Sequence, residues 1–191
     1  LETGSNMTGI RSLSIIALGG NLPSPAGSPQ ETLAAALPDL AAAGLRMRAI
    51  SRFFSTPCFP AGAGPDYVNA VVLAETEQPP AEILSSLHAV EASFSRVRDQ
   101  RWGMRTLDLD LIACGSLVLP DRASYEAWLG LPLEAQMQQA PGELVLPHPR
   151  LQDRAFVLVP LCDIAPQWQH PVLGKTAREL LDAVPEQDVA G

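Results

Sequence analysis

At 191 residues, with 47% hydrophobic and 18% charged side chains, the chain is long enough to bury one core and too apolar for a disordered segment. A net charge of -8 opposes any broad phosphate-backbone surface, which argues against a nucleic-acid partner and requires that any anion site be local. No apolar run approaches the roughly 20 residues that span a bilayer. Cys58, Cys114 and Cys162 are odd in number and lack a CxxC pair, so neither a disulfide framework nor a zinc site is indicated. The expectation is a cytoplasmic monomer with no membrane contact.

The opening LETGSN, before Met7, reads as a non-native remnant, which leaves residues 7–191 as one domain. Ser12 to Leu18 (SLSIIAL) is an apolar run stopped by Gly19-Gly20-Asn21, the pattern of a buried strand ending in a turn. Ser28, Pro29 and Glu31 supply an N-cap, a first-turn proline and a capping box, predicting a helix to about Ala43 despite Pro38. Arg46 to Ser55 and Tyr67 to Thr76 read as strands joined by a loop rich in proline and glycine. From Pro79-Pro80 the spacing of Ile83, Leu84, Leu87, Val90 and Phe94 predicts a helix with one buried face. Thr106 to Ala113 is the fourth strand.

The order strand, helix, strand, strand, helix, strand is ferredoxin-like, so the predicted fold is α+β: a single domain with a mostly antiparallel sheet flanked by helices. An extended loop is expected over about 115–142, with a short helix near Ser124 to Leu129. As readings of that stretch, a flexible surface loop comes first, with a lid over a nucleotide and an oligomer contact as the others. Leu144 to Pro149, Arg154 to Pro160 and a helix near Thr176 to Ala183 complete the domain, with no repeats and no second core.

The chemistry concentrates in RWGMRTLDLDL, residues 101–111. Strand alternation sends Leu107, Leu109 and Leu111 to one face and Thr106, Asp108 and Asp110 to the other. The two acids then lie about 6 to 7 Å apart along the backbone. Unpartnered, they repel by on the order of 2 kcal/mol at an effective dielectric near 20. Magnesium between them reverses that sign, since it takes one or two carboxylates and keeps further sites for water and phosphate. An isolated DLD is more often an acidic outer face. Here Arg96, Arg98, Arg101 and Arg105 crowd beside it, with Trp102 among them, and forked guanidinium donors suit phosphate oxygens. Acid pair and arginines together suggest a nucleotide polyphosphate. Gly174-Lys175-Thr176 imitates the end of a phosphate-binding loop, but Gln169 stands where the first glycine is required, so it reads as a helix start.

RVRDQRWGMRTLDLDL resembles the signature of the 6-hydroxymethyl-7,8-dihydropterin pyrophosphokinase (HPPK) family of folate biosynthesis. IALGGNLPSP resembles the family's first strand and its Gly-Ser-Asn-Leu turn, with Gly20 where serine is usual. STPCFPAGAGPDYVNAVV resembles the pterin-binding segment, and LVLPHPRLQDRAFVLVPLCDIAP the closing motif. The resemblance implies transfer of the terminal diphosphate of ATP to the pterin hydroxymethyl oxygen, with release of AMP. It implies that Asp108 and Asp110 hold two magnesium ions and that Arg96 and Arg105 handle phosphate, making these four the catalytic set. ATP contacts are implied for Glu91, Arg98, Trp102, Arg105, Leu111, His148 and Arg154. Pterin contacts are implied for Thr56, Pro57, Tyr67, Asn69, Trp102 and Phe156.

Asp99, Met104, Pro149 and Glu143 depart from the family's usual residues, in the loop around Trp102 and on the adenine side. No residue is singled out as a general base. Two rival readings follow from the same residues: another magnesium-dependent nucleotidyl or phosphoryl transferase, and a noncatalytic nucleotide-binding module.

Overall fold

The computed structural model describes residues 12–58, 62–94, 105–138 and 142–185. The ordered elements are β1 (Ser12–Gly20), α1 (Pro29–Ala42), β2 (Arg46–Ile50), β3 (Phe54–Thr56), β4 (Tyr67–Thr76), α2 (Pro80–Phe94) and β5 (Asp108–Cys114). There follow α3 (Arg122–Leu129), α4 (Leu133–Gln138), a single 3-10 turn at Leu151–Asp153, α5 (Ala155–Ile164) and α6 (Ala177–Asp182). The sheet runs β2-β4-β1-β5, all antiparallel, with β3 pairing on β4 beyond the end of β2. Counting β2 and β3 as one interrupted strand gives the ferredoxin-like order expected from the sequence. Among the described residues, no helix is long and apolar enough to cross a membrane.

Local signals explain most element bounds. The Ser28 hydroxyl accepts from the Glu31 amide at 3.3 Å, and the Glu31 carboxylate accepts from the Ser28 amide at 2.7 Å, closing the predicted capping box. Helix α2 buries Ile83, Leu87 and Val90, one stripe of the predicted face.

Three expectations need correction. First, β1 does not stop at Leu18: Gly19 and Gly20 stay in the ladder, opposite Asn69 and Val68. Second, the strand expected over 46–55 is broken after Ile50. There the Ser51 amide donates to the Val71 carbonyl at 2.9 Å, while the Ser51 hydroxyl accepts from the Val71 amide at 2.9 Å. The side chain thus takes a rung that backbone would otherwise fill.

The sheet carries an apolar layer on each face. Ile16, Leu18, Val68, Val72, Leu107, Leu109 and Leu111 face α1 and α2, whereas Ile15, Val71, Leu73, Ile112 and Ala113 face α5, α6 and the 3-10 turn. Strand β4 is accordingly buried along almost its whole length, as a strand covered on both faces should be. A bulge opposite Ile15 and Ile16 puts the adjacent Ile112 and Ala113 on the same side, which strict alternation cannot reproduce.

Third, the 115–142 stretch is not one open loop. It carries α3 and α4, and Tyr125 is fully buried with its hydroxyl 3.0 Å from Nε2 of the equally buried His170. Nδ1 of His170 accepts from the amides of Val172 and Leu173 at 3.1 and 3.0 Å, so the ring proton sits on Nε2 and is donated to Tyr125.

Candidate active site

The site forms where the second apolar layer ends. On that face Ala17 lies opposite both Val71 and Asp110, and one step further along β1 Gly19 lies opposite both Asn69 and Asp108. Two small residues of the central strand therefore form a floor, with Asn69 on one flank and the acid pair on the other. The floor at Gly19 is steric: a Cβ there would come within 2.9 Å of Oδ1 of Asn69.

Strand β3 extends the Asn69 side. It sets Phe54 opposite Asn69 and Thr56 opposite Tyr67, and the Asn69 amide donates to the Thr56 hydroxyl at 2.7 Å. Among the described residues no bond takes up the Asn69 carbonyl oxygen or the Thr56 hydroxyl proton, a pair that suits a ligand that both donates and accepts. Tyr67 lies within electrostatic reach of Cys58, Arg105 and Asp108, and partial burial pushes its hydroxyl pKa up. Pro57 follows Thr56 and is exposed.

On the other flank Asp108 and Asp110 project from β5 beside two guanidinium groups. Arg105 donates to Asp108 at 2.8 Å, and Arg154, at the N-terminus of α5, stands 3.7 Å from Asp110. Burial first, and then the charge of Asp108, push the Asp110 pKa above the usual carboxylate range, against the pull of Arg154 and Arg105. Leu107, Leu109 and Leu111 are all buried on the opposite face, so the predicted division of the strand into two faces holds.

The outer edge of β5 is also polar. The Leu109 amide donates to the Glu91 carboxylate at 2.6 Å, and the His148 amide donates to the Ile112 carbonyl at 2.7 Å. Burial pushes the Glu91 pKa up. Burial, together with the charges of Arg154 and Arg150, holds His148 down at about 3, so its ring is neutral. Phe156, in the first turn of α5, is 42% exposed, with the Arg154 guanidinium carbon 5.5 Å from its ring centroid.

The structure thus gathers Thr56, Tyr67, Asn69, Arg105, Asp108, Asp110, Arg154 and Phe156 around one end of one sheet face, with Glu91 and His148 on the adjoining edge. Leu111 is not brought in by its side chain, which lies in the core across the sheet. Arg96, Arg98 and Trp102 lie outside the described residues. Two positions went unassigned from sequence. The role of Gly19 follows from strand register, and Asn21 needs knowledge of which segments meet at its amide.

Among the described residues no three His, Cys, Asp or Glu side chains come together as a ready metal cage. Two like charges on one strand face, one of them partly buried and resisting ionisation, do fit a hard cation that takes its remaining oxygens from elsewhere.

The family model for 7,8-dihydro-6-hydroxymethylpterin-pyrophosphokinase (HPPK) matches residues 15–166. A 2-amino-4-hydroxy-6-hydroxymethyldihydropteridine pyrophosphokinase of Pseudomonas aeruginosa is 38% identical over 177 residues, covering 91% of this chain and 93% of that protein. One of the same description from Synechocystis sp. is 37% identical over 171 residues, covering 89% of this chain and 75% of that protein. The crystal structure of wild-type Plasmodium falciparum HPPK-DHPS superposes with a TM-score of 0.61 at 14% identity, over 90% of this chain and 44% of that one. The chain therefore spans less than half of that solved chain, and at this identity the likeness speaks for the fold alone.

Proposed function

The chain belongs to the 7,8-dihydro-6-hydroxymethylpterin-pyrophosphokinase family, and from that premise we propose that it transfers the terminal diphosphate of ATP to 6-hydroxymethyl-7,8-dihydropterin in folate biosynthesis. The pterin hydroxymethyl oxygen attacks the β-phosphorus. The bond from that phosphorus to the α,β-bridging oxygen breaks, its electron pair leaves with AMP, and the hydroxyl proton is released.

The observation that carries this reading is the register at Gly19, which sets an amide suited to a heterocycle's polar edge and a paired-acid site on either side of one small-residue floor. Asn69 and Thr56 bind the pterin edge, and Tyr67 and Phe156 cover its flat faces, with Pro57 shaping the adjoining chain. Arg105 and Arg154 take phosphate oxygens, while Glu91 and His148 bound the nucleotide side. Neutral His148 adds no charge there; its Nδ1 accepts from the Arg150 amide at 3.2 Å, which leaves the Nε2 proton to donate.

Asp108 and Asp110 would hold magnesium, for which two ions are expected. When bound, these cations supply positive charge against the phosphate oxygens. Arg96, Arg98 and Trp102 complete the proposed ATP contacts. Leu111 contributes through its backbone, given where its side chain lies. The protein acts as a monomer in a reducing cytoplasm, a setting that suits its free cysteines.

The test is AMP release from ATP with magnesium and the hydroxymethyl pterin, comparing the parent with Asp108→Ala and Asp110→Ala. The parent forms AMP only when the pterin is present, and both variants lose that activity. Full activity in either variant overturns the metal assignment. Tight ATP binding without turnover by the parent points instead to the noncatalytic rival.

A further inference from the structure

We propose that Asn21 is a positioning residue whose single amide ties the phosphate-side Arg105 to the chain leading into the pterin-side Tyr67. The inference rests on the pyrophosphokinase reading above and deepens it.

Asn21 is 1% exposed. Its Oδ1 accepts from the Arg105 amide at 3.0 Å, its own amide donates to the Arg105 carbonyl at 2.9 Å, and its Nδ2 donates to the Pro65 carbonyl at 3.2 Å. The Leu22 amide adds a second donor to the Arg105 carbonyl at 3.2 Å.

The regular β1–β5 ladder ends at Gly19 and Asp108. Beyond it the two chains approach so closely that a Cβ on Gly20 would lie 2.5 Å from the Thr106 carbonyl oxygen, with no room for a side chain. Asn21 then continues the pairing by other means, its Oδ1 standing in for the backbone carbonyl that a further rung would use. That fixes Arg105 at both its amide and its carbonyl. It does so three residues before Asp108, the partner of its guanidinium at 2.8 Å.

The other end of the amide acts on a different segment. Pro65 lies two residues before Tyr67, which opens β4 and stands opposite Thr56. Because a carboxamide is planar and rigid, its donor and acceptor cannot shift independently, so displacement at Pro65 is transmitted to Arg105 and the reverse. Loss of the donor alone should loosen the pterin side, and loss of both ends should loosen both sides.

The experiment measures KM for ATP and for the pterin, kcat and Tm in the parent, Asn21→Asp and Asn21→Leu. Aspartate keeps the acceptor for the Arg105 amide but sets an oxygen against the Pro65 carbonyl. It is expected to raise the pterin KM about 5- to 20-fold, the scale of one buried hydrogen bond lost with its partner stranded, while the ATP KM changes less than about 2-fold. Asn21→Leu is expected to raise both. Equal changes in both KM values for Asn21→Asp, or no change in either, overturn the proposal.

Should neither variant fold, amide hydrogen exchange in the unaltered protein decides. Adding pterin alone should slow exchange of the Arg105 amide, and unchanged exchange refutes the coupling. A parent that releases no AMP sinks the pyrophosphokinase reading itself. A parent that is active, with variants whose KM values do not split, sinks only the role of Asn21.

Discussion

Asp110→Asn should move stability and turnover in opposite directions. Alternate positions on a strand put the Asp108 and Asp110 backbones about 6 to 7 Å apart, for a repulsion of about 2 to 3 kcal/mol at an effective dielectric near 20. Arg154 at 3.7 Å opposes this with about 4 kcal/mol on the same scale. Burial of the carboxylate works against ionisation, and the balance of all three leaves the Asp110 pKa above its ordinary value. A raised carboxylate pKa means that the native state holds the proton more tightly than the unfolded chain does. At neutral pH, ionised Asp110 therefore subtracts from stability, and the loss eases as pH falls toward the raised pKa.

Because the side chain is 37% exposed, solvent screens these terms, and the gain on neutralising it is at most about 1 kcal/mol, or about 2 to 4 °C in Tm for a chain of this length. Turnover should fall by at least about 100-fold, the scale of removing one group that stabilises developing charge. Thermal melts of the ligand-free protein and the AMP-release assay measure the two quantities. Added magnesium should raise the parent's Tm more than the variant's, since only the parent keeps both carboxylates. A variant that melts well below the parent, and loses activity only in proportion to its unfolded fraction, would show that Asp110 is structural.

Gly19→Ala places a methyl 2.9 Å from the Asn69 amide oxygen and should displace the Asn69 contact with Thr56, raising the pterin KM about 3- to 10-fold with little change in the ATP KM. Steady-state kinetics with each substrate varied in turn checks this. Tyr125→Phe strands the buried Nε2 proton of His170 and should cost about 1 to 3 kcal/mol in urea denaturation without changing either KM. His170 itself is depressed by burial to about 4, below its unfolded value near 6.5. Its neutral form is the native one, so its contribution is intact above about pH 6.5 and shrinks as pH falls toward 4. The loss reaches about 2 kcal/mol by pH 5, and urea midpoints from pH 7 to 5 should fall more steeply for the parent than for His170→Gln. Equal slopes would mean that His170 is not buried as a neutral ring.

What could be read from sequence was whatever depends on neighbours along the chain. The capping box at Ser28 and Glu31, the stripe of Ile83, Leu87 and Val90, and the two faces of LDLDL are local patterns whose outcome needs no knowledge of the partner strand. The bulge at Ile112 and Ala113, the rung taken over by Ser51 and the small floor at Gly19 depend on register, which only the paired strands define. The pairing of Tyr125 with His170 spans 45 residues and links two segments that carry little periodicity. It therefore gave no sign that part of the 115–142 stretch is packed down. The acid pair was visible by its spacing, but the convergence of Asn69 and Thr56 upon it appears only when β4, β1 and β5 are laid side by side.

The same strands also show why such a site can be carried at small cost to the fold. At the site end, the face toward α1 and α2 remains apolar to the last residue, with Leu18, Val68, Leu107 and Leu109 all buried in one cluster. The face toward α5 stops being apolar at Ala17 and Val71, which are level with Asp110, and beyond them come Gly19, Tyr67, Asn69 and Asp108. Cohesion thus comes from one side of the sheet and chemistry from the other, separated by the direction in which alternate side chains point. Substitutions at Asp108, Asp110 or Asn69 should leave the core intact and act on ligands. Exchanging Leu107 or Leu109 for alanine should cost about 2 to 5 kcal/mol and reach the site only by disturbing the strand that carries it.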